Sequence, residues 1–152
     1  MGVKLGKSLE AYADVGTLCL RIAIGMIFLA HGSQKLFGWF GGPGLAAMGD
    51  TFSQMGFQPG LFWAAVAGAS EFFGGLAVLL GFATRVGAFL IGIVMLVAML
   101  KVHLPNGFFL NFMCTPGVGH GIEYNVALLG GCVALLLGGP GKYSVECASC
   151  KE

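Results

Sequence analysis

Ionisable side chains interrupt the long apolar runs of this sequence, and their types suit proton transfer. His31 and His103 each lie near the end of an apolar run, and an imidazole can donate, accept or relay a proton near neutral pH. Glu71 and Glu123 lie in two other apolar runs, where a carboxyl group could also relay protons. We therefore take His31, Glu71, His103 and Glu123 as the candidate catalytic residues.

Charged groups in such runs are expected to face one another and to avoid lipid. An ionised side chain at the centre of a bilayer costs at least about 2.5–3.5 kcal/mol. Helical spacing places Arg21, Phe28 and Lys35 on one stripe, with His31 beside Lys35. Five polar side chains lie within about two turns of the predicted outer ends of their helices. They could line one outward-opening pocket: His31, Gln34, Lys35, His103 and Glu123.

Glu71 lies deeper than this pocket, near the middle of its run. It shares a helix face with the small residues Gly68 and Gly75, which predicts that it faces other helices. Since intramembrane charges usually pair, we expect an ion pair between Arg21 and Glu71. If the carboxylate turns outward instead, its expected partner is His31.

The composition explains why these side chains must be positioned by membrane helices. The chain has 152 residues, of which 57% are hydrophobic and 10% charged, whereas soluble domains are about 45–50% apolar and about 25% charged. The net charge of +1, without a basic run, gives no support for a nucleic-acid partner. The sequence therefore predicts an integral membrane protein whose partners are lipids, small molecules or other membrane subunits.

Four apolar runs approach the length of about 20 residues that crosses a bilayer. They cover residues 15–37, 61–80, 85–104 and 123–138, and a polar tail follows at 142–152. Backbone groups in lipid must pair within their own segment. We therefore predict an all-α protein, a four-helix transmembrane bundle that forms a single domain over residues 1–152, and a first run that is retained as a helix.

The distribution of basic residues predicts the orientation of this bundle. Lys35 and Lys101 lie at one end of the spans. The other end carries more basic residues: Lys4, Lys7, Arg21, Arg85, Lys142 and Lys151. The positive-inside rule then places both termini in the cytoplasm and the two long connections outside.

Both long connections carry apolar side chains. In residues 38–60, Leu45, Met48, Phe52 and Met55 recur at helical spacing, which fits a short amphipathic helix in the membrane interface or an ordinary loop helix. Residues 105–122 are rich in phenylalanine, so we expect this segment to dip into the outer leaflet or to fold over the mouth of the bundle.

Helical spacing also assigns faces to the last two spans. On the third, His103 is predicted to face inward and Lys101 to reach the headgroups. On the fourth, a stripe of small residues is predicted to face inward with Glu123: Ala127, Gly130 and Ala134.

The segments that carry these residues resemble the DoxX family of small four-helix bacterial membrane proteins. They read "LRIAIGMIFLAHGSQKLFGWFGGPG", "AGASEFFGGLAVLLGFATRVGA", "VMLVAMLKVH", "NGFF" and "GIEYNVALLG…GGPGKYS". The family positions that match are Arg21, His31, Gly32, Lys35, Glu71, Gly75, Thr84, Arg85, His103, Glu123 and Tyr124. The resemblance implies a multi-pass protein of the bacterial inner membrane.

The resemblance also implies a redox role, because some members are a subunit of a thiosulfate:quinone oxidoreductase and others are membrane partners of redox-defence enzymes. We therefore expect a redox subunit that binds quinone or a related ligand and depends on a soluble or membrane oxidoreductase partner. Lys35 could help to hold an anion such as thiosulfate. The candidate ligand-binding residues are Arg21, Phe28, Gln34, Lys35, Phe108, Phe109 and Tyr124. The alternative is a non-catalytic anchor, or an accessory protein that binds lipid or a small molecule; either could form a homo-oligomer.

No metal or flavin signature accompanies these residues. His31 and His103 could in principle hold haem, but histidines on membrane helices are more often packing or proton-path residues. Cys147 and Cys150 form a C-x-x-C in the tail, which could be a redox pair or half of a zinc site. In a reducing cytoplasm we expect free thiols.

Overall fold

The chain is described by a computed structural model, which covers residues 2–149 and the side chains of residues 12–149. All regular elements in this part of the chain are helical. The α-helices are α1 (Gly2–Phe37), α2 (Gly44–Gln54), α3 (Gly60–Leu80), α4 (Thr84–Ala98), α5 (Glu123–Gly138) and α6 (Val145–Ser149), and a 3-10 turn over Trp39–Gly41 lies between α1 and α2. A π-helical turn over Met99–His103 and a 3-10 turn over Leu104–Asn106 continue α4.

Three helices are long and apolar enough to cross a membrane. They are Tyr12–Phe37, Gly60–Leu80 and Thr84–Asn106, and α5 is a shorter apolar helix of 16 residues. The bounds of these helices agree closely with the four predicted runs, except that α1 begins well before residue 15. The residues that precede the apolar run 15–37 include no proline, which would break a helix, and they extend α1 toward the N-terminus.

The helices pack in a closed order: α1 against α3, α3 against α4, α4 against α5, and α5 against α1. Of these four contacts, the one between α1 and α3 is the closest, because a Cβ on Gly32 would lie 2.4 Å from the backbone nitrogen of Phe72 and one on Gly75 would lie 2.5 Å from that of Leu29. Small residues allow such close approach between membrane helices. The core between these helices contains Ile24, Phe28, Val78, Ala88, Ile91, Leu128, Cys132 and Leu135.

The short helix predicted in the first long connection is present as α2, and it packs against α3. The four apolar side chains that predicted it are half-buried, whereas Asp50 and Thr51 are exposed. The helix is therefore amphipathic and directs its apolar side toward α3.

The expected ion pair between Arg21 and Glu71 is wrong. Arg21 is buried, and its guanidinium donates hydrogen bonds to four backbone carbonyls, those of Val78 and Leu79 at 2.9 Å each, Pro140 at 3.0 Å and Tyr143 at 2.6 Å. The last carbonyls of a helix lack partners within it and carry partial negative charge. Arg21 therefore joins the end of α3 to the segment after α5.

The face predicted for α5 is also wrong. Ala127, Gly130 and Ala134 are exposed, while Glu123 is half-buried. The buried face of α5 consists of Asn125, Leu128, Cys132 and Leu135. Leu128, Cys132 and Leu135 fill the core, so the gain from packing larger side chains determines the rotation of this helix.

Candidate functional site

A cavity of about 390 Å³ lies between α1, α3, α4, α5 and the segment after α4. Its walls mix polar and apolar side chains, a composition typical of small-molecule sites. The lining residues are Phe28, His31, Lys35, Glu71, Met95, Ala98, His103, Leu110, His120, Gly121, Tyr124, Asn125 and Leu128. We call this space the polar cavity.

The charged group of the polar cavity is an ion pair between Lys35 and Glu71. Lys35 Nζ donates to Glu71 Oε2, and the side chains are 20% and 4% exposed, respectively. Lys35 is thus the partner of Glu71, and neither Arg21 nor His31 takes that place. Because the pair carries no net charge, an anion could bind Lys35 only by competing with Glu71.

The close approach of α1 to α3 positions this pair. The backbone of α1 touches that of α3 where Gly32 meets Phe72. Lys35 follows Gly32 by about one helical turn, and Glu71 directly precedes Phe72. A side chain larger than hydrogen at position 32 would separate the helices and therefore the two charges.

Two histidines in the polar cavity have their Nδ1 atoms engaged by the backbone. His103 Nδ1 lies 3.0 Å from the carbonyl oxygen of His120, which can only accept, so Nδ1 donates. His120 Nδ1 accepts from the backbone N–H of Asn111 at 3.3 Å and is therefore unprotonated. The remaining nitrogens are complementary: Nε2 of His120 is a donor, and Nε2 of neutral His103 is an acceptor.

Asn111 holds the segment that carries His120. Its Nδ2 donates to the carbonyls of Thr115 at 3.0 Å and Val118 at 2.9 Å, and its Oδ1 accepts from the backbone of Thr115 at 3.0 Å. At the start of α5, Glu123 Oε2 accepts from the backbone N–H of Leu110 at 3.1 Å. The segment is thus tied to itself and to α5, and it forms part of the cavity wall.

A second cavity, of about 380 Å³, lies on the other side of the ion pair, between α2, α3 and α4. Its lining includes Met48, Phe52, Trp63, Val94 and Val97. Lys35, Glu71 and Ala98 line both spaces. We call this second space the apolar cavity.

Comparison with known proteins agrees with this picture of a membrane protein. The family model described as DoxX matches residues 16–104, which is more than half of the chain. This chain belongs to the DoxX family. No solved structure matches it.

Two relatives cover most of the DoxX chain. It is 32% identical over 142 residues to the uncharacterized membrane protein Rv3486 of Mycobacterium tuberculosis, covering 91% of this chain and 83% of the relative. It is 35% identical over 135 residues to the inner membrane protein YqjF of Escherichia coli, covering 88% of this chain and 91% of the relative. Together with the three long apolar helices, these relatives identify a multi-pass inner membrane protein.

A third relative is the "Putative oxidoreductase CatD" of Bacillus subtilis. Identity is 33% over 95 residues, covering 62% of this chain and 65% of the relative. The family match at 16–104 contains His31, Lys35, Glu71 and His103. The segment with His120 and all of α5 lie beyond that match.

About half of the site residues predicted from the sequence line the polar cavity of this DoxX protein. Those that line it are Phe28, His31, Lys35, Glu71, His103 and Tyr124. The others lie outside its lining: Arg21, Gln34, Phe108, Phe109 and Glu123. Phe108 and Phe109 stack edge to face with each other at 5.2 Å and are exposed, and Glu123 holds the loop instead of facing the cavity.

Sequence reasoning missed His120 and Asn125. Asn125 is buried, and its Nδ2 donates to Met95 Sδ at 2.8 Å. Its spacing from Leu128 and Cys132 was a signal for the inward face of α5. His120 lies in the glycine-rich stretch "GVGHG", and no periodicity there indicates that the ring returns to the cavity.

Lys101 is exposed, as predicted, while His103 is half-buried and faces the cavity. Cys147 is half-buried, and Cys150 lies outside the described residues, so the C-x-x-C pair stays a prediction. Within the described residues, no group of three or more His, Cys, Asp and Glu side chains is placed to hold a metal ion.

Proposed function

We propose that this protein binds a quinone, or a closely related ligand, in the polar cavity and serves as the membrane component of a redox system. A quinone ring needs an apolar slot and hydrogen-bond donors for two carbonyl oxygens. Phe28 and Leu128 supply apolar walls, and His120 and Lys35 supply donors in the same cavity. A volume of about 390 Å³ is within the usual range of about 300–1,000 Å³ for small-molecule sites.

The single observation that carries this proposal is the complementary pair of imidazoles. The backbone sets His120 as a donor and neutral His103 as an acceptor in one cavity. A ligand that presents an acceptor to His120 and a donor to His103 could engage both residues. Such fixed groups need no reorganisation when a ligand binds.

Reduction of a quinone to a quinol takes up two electrons and two protons. In this proposal an oxidoreductase partner supplies the electrons, and the chain's own residues deal with protons. His120 Nε2, the protonated nitrogen of its ring, could pass a proton to a ring oxygen, whereas His103 Nε2 is unprotonated in the neutral ring and could accept one. Glu71 could exchange a further proton because its Oε1 makes no hydrogen bond among the described residues. The oxidoreductase name of the Bacillus subtilis relative supports a redox role.

The proposal includes a topology of four spans. We place α5, with 16 residues, as a short fourth span of about 24 Å at 1.5 Å per residue. Both termini then lie in the cytoplasm, and the polar cavity opens toward the outer surface. The exposed side chains of Arg85 and Lys142 support this orientation through the positive-inside rule.

The direct test is to purify the full chain in mild detergent and to identify quinones in an organic extract by mass spectrometry. A ring-only quinone is then titrated into extracted protein by calorimetry. We expect saturable binding that Lys35→Met weakens at least tenfold. Lys101→Met is the matched control, because it removes a lysine that is exposed and does not line either cavity. Absence of both extracted quinone and saturable binding would reject the proposal.

The second candidate is a non-catalytic protein that binds a membrane lipid, and the apolar cavity favours it. The same extraction decides between the two, because a stoichiometric phospholipid in place of quinone identifies a lipid-binding protein.

A further inference from the structure

Apart from Lys35 and Glu71, the apolar cavity is lined by residues that the proposed function does not use. Apart from Lys35, Glu71 and Thr51, its lining is hydrocarbon, aromatic or thioether. The helix α2 forms one wall through Met48 and Phe52, and α3 and α4 form the others. Nothing in quinone-ring chemistry requires such a space.

The two cavities meet at a defined place. Lys35, Glu71 and Ala98 line both of them. Two of these residues form the ion pair, and the third carries the smallest side chain that has a Cβ. A molecule that extends from one cavity to the other would therefore pass beside Ala98.

The outer wall of the apolar cavity faces the surroundings of the protein. Trp63 is 42% exposed, Val97 38% and Val102 43%, and all three line this cavity. They belong to the long apolar helices, whose exposed sides lie against acyl chains in a membrane. A hydrocarbon chain could therefore enter from lipid without crossing water.

We infer that the apolar cavity holds the isoprenoid or alkyl tail of the ligand whose ring lies in the polar cavity. This inference rests on the proposed function. Its basis is the shared lining at Lys35, Glu71 and Ala98: a polar space that suits a ring adjoins an apolar space that suits a chain. A tail leaving lipid gains little hydrophobic free energy in a second apolar environment. Binding of the tail therefore depends on its van der Waals contacts with the cavity walls, and a side chain that fills the cavity removes those contacts and excludes the tail.

The test uses the full chain in phosphatidylcholine nanodiscs and two probes with the same ring. One is 2,3-dimethoxy-5-methyl-1,4-benzoquinone, which has no tail, and the other carries a decyl tail. Calorimetry measures binding, with empty nanodiscs as the blank. Val94→Phe fills the apolar cavity from α4, and Met48→Trp fills it from α2. Val133→Phe is the matched control, because Val133 is 50% exposed on α5 and lines neither cavity.

We expect Val94→Phe and Met48→Trp each to weaken binding of the decyl probe at least tenfold and to change binding of the tail-less probe less than twofold. Val133→Phe should change neither. Unchanged binding of the decyl probe in both filled variants, or equal weakening of the two probes, would overturn the tail site while leaving the ring site intact. If the unmodified protein binds neither probe, the proposed function itself fails. Because two opposite walls are changed, misfolding of one variant leaves the other to decide.

Discussion

Arg21 and the Lys35–Glu71 pair are both charged groups that lie among apolar helices, yet their surroundings differ. Arg21 is 2% exposed and is surrounded by backbone carbonyls that accept from four of its N–H groups. Lys35 and Glu71 have each other as charged partners and border two cavities. The first arrangement satisfies its cation, whereas the second leaves hydrogen-bonding groups of Lys35 and Glu71 at the walls of the two cavities.

This difference separates a structural charge from a candidate functional one. A guanidinium has five donors in a fixed fork, and the carbonyls of Val78, Leu79, Pro140 and Tyr143 use most of them. Lys35 has further N–H donors, and Glu71 has a second oxygen, so a ligand could engage both. Burial of a charge in a membrane helix therefore points to function only when space and free hydrogen-bonding groups accompany it.

The largest expected effect is on folding, at Arg21. Arg21→Leu should destabilise the protein by at least about 3 kcal/mol, because each hydrogen bond to a charged group contributes about 1.5–3 kcal/mol and water recovers part of the loss. Arg21→Lys should fall in between, since it keeps the charge and loses the fork. Denaturation in detergent, followed by circular dichroism, measures both. An Arg21→Leu protein as stable as the parent would contradict the structural role.

The next largest effect is expected at Lys35, whose charge is paired with Glu71 and not, as for Arg21, with backbone carbonyls. Removing one partner of a buried pair costs about 3–5 kcal/mol, whereas replacing both is often neutral. With Lys35 partly exposed, we expect about 2 kcal/mol for Lys35→Met and recovery of most of this in Lys35→Met/Glu71→Leu. Quinone binding should stay at least tenfold weaker in the double variant. If stability is not recovered, the two charges are not each other's main partners.

Substitution of His120 tests whether a quinone accepts a hydrogen bond from this residue in the polar cavity. His120→Ala should weaken binding of the tail-less quinone about tenfold, which corresponds to about 1.4 kcal/mol, and should leave the unfolding midpoint unchanged because the residue is exposed. His120→Gln keeps a donor and should restore part of the affinity. A shift of the unfolding midpoint as large as that of Lys35→Met would instead assign His120 a structural role.

The smallest effect is expected at Lys101, which belongs neither to the surroundings of Arg21 nor to those of the Lys35–Glu71 pair. Lys101→Gln should change stability by less than about 0.5 kcal/mol, as exposed substitutions usually do, and should leave quinone affinity unchanged. The same titration and denaturation measurements apply. A loss comparable to that of Lys35→Met would show that the face assigned to Lys101 is wrong.

Much of the architecture could be predicted because membranes impose strong rules on sequence. Apolar length located the helices, and the face with Ala64, Ala67, Gly68, Glu71 and Gly75 is buried as its spacing predicts. The amphipathic pattern located α2. The face of α5 was mispredicted because small residues were read as the contact surface, although Leu128, Cys132 and Leu135 fill the core there.

The site was predicted in part, for a reason that lies in its chemistry. Ionisable residues within apolar runs can be recognised in a sequence, so His31, Lys35, Glu71 and His103 could be predicted as site residues. Their partners were harder to identify, because every residue has a carbonyl and nothing in the sequence marks Val78 or Pro140 as an acceptor for Arg21. His120 was missed because a glycine-rich loop has no periodic signal.

By itself, the sequence determined that the protein is helical, that it belongs in a membrane, and that a few ionisable side chains must turn away from lipid. These conclusions follow from local properties, namely hydropathy, spacing and the cost of exposing charge to hydrocarbon. Only the tertiary structure decided that Lys35 pairs with Glu71, that Arg21 binds carbonyls, and that two cavities meet beside Ala98. Those features depend on how closely helices approach and how they rotate, and packing of the whole molecule sets both.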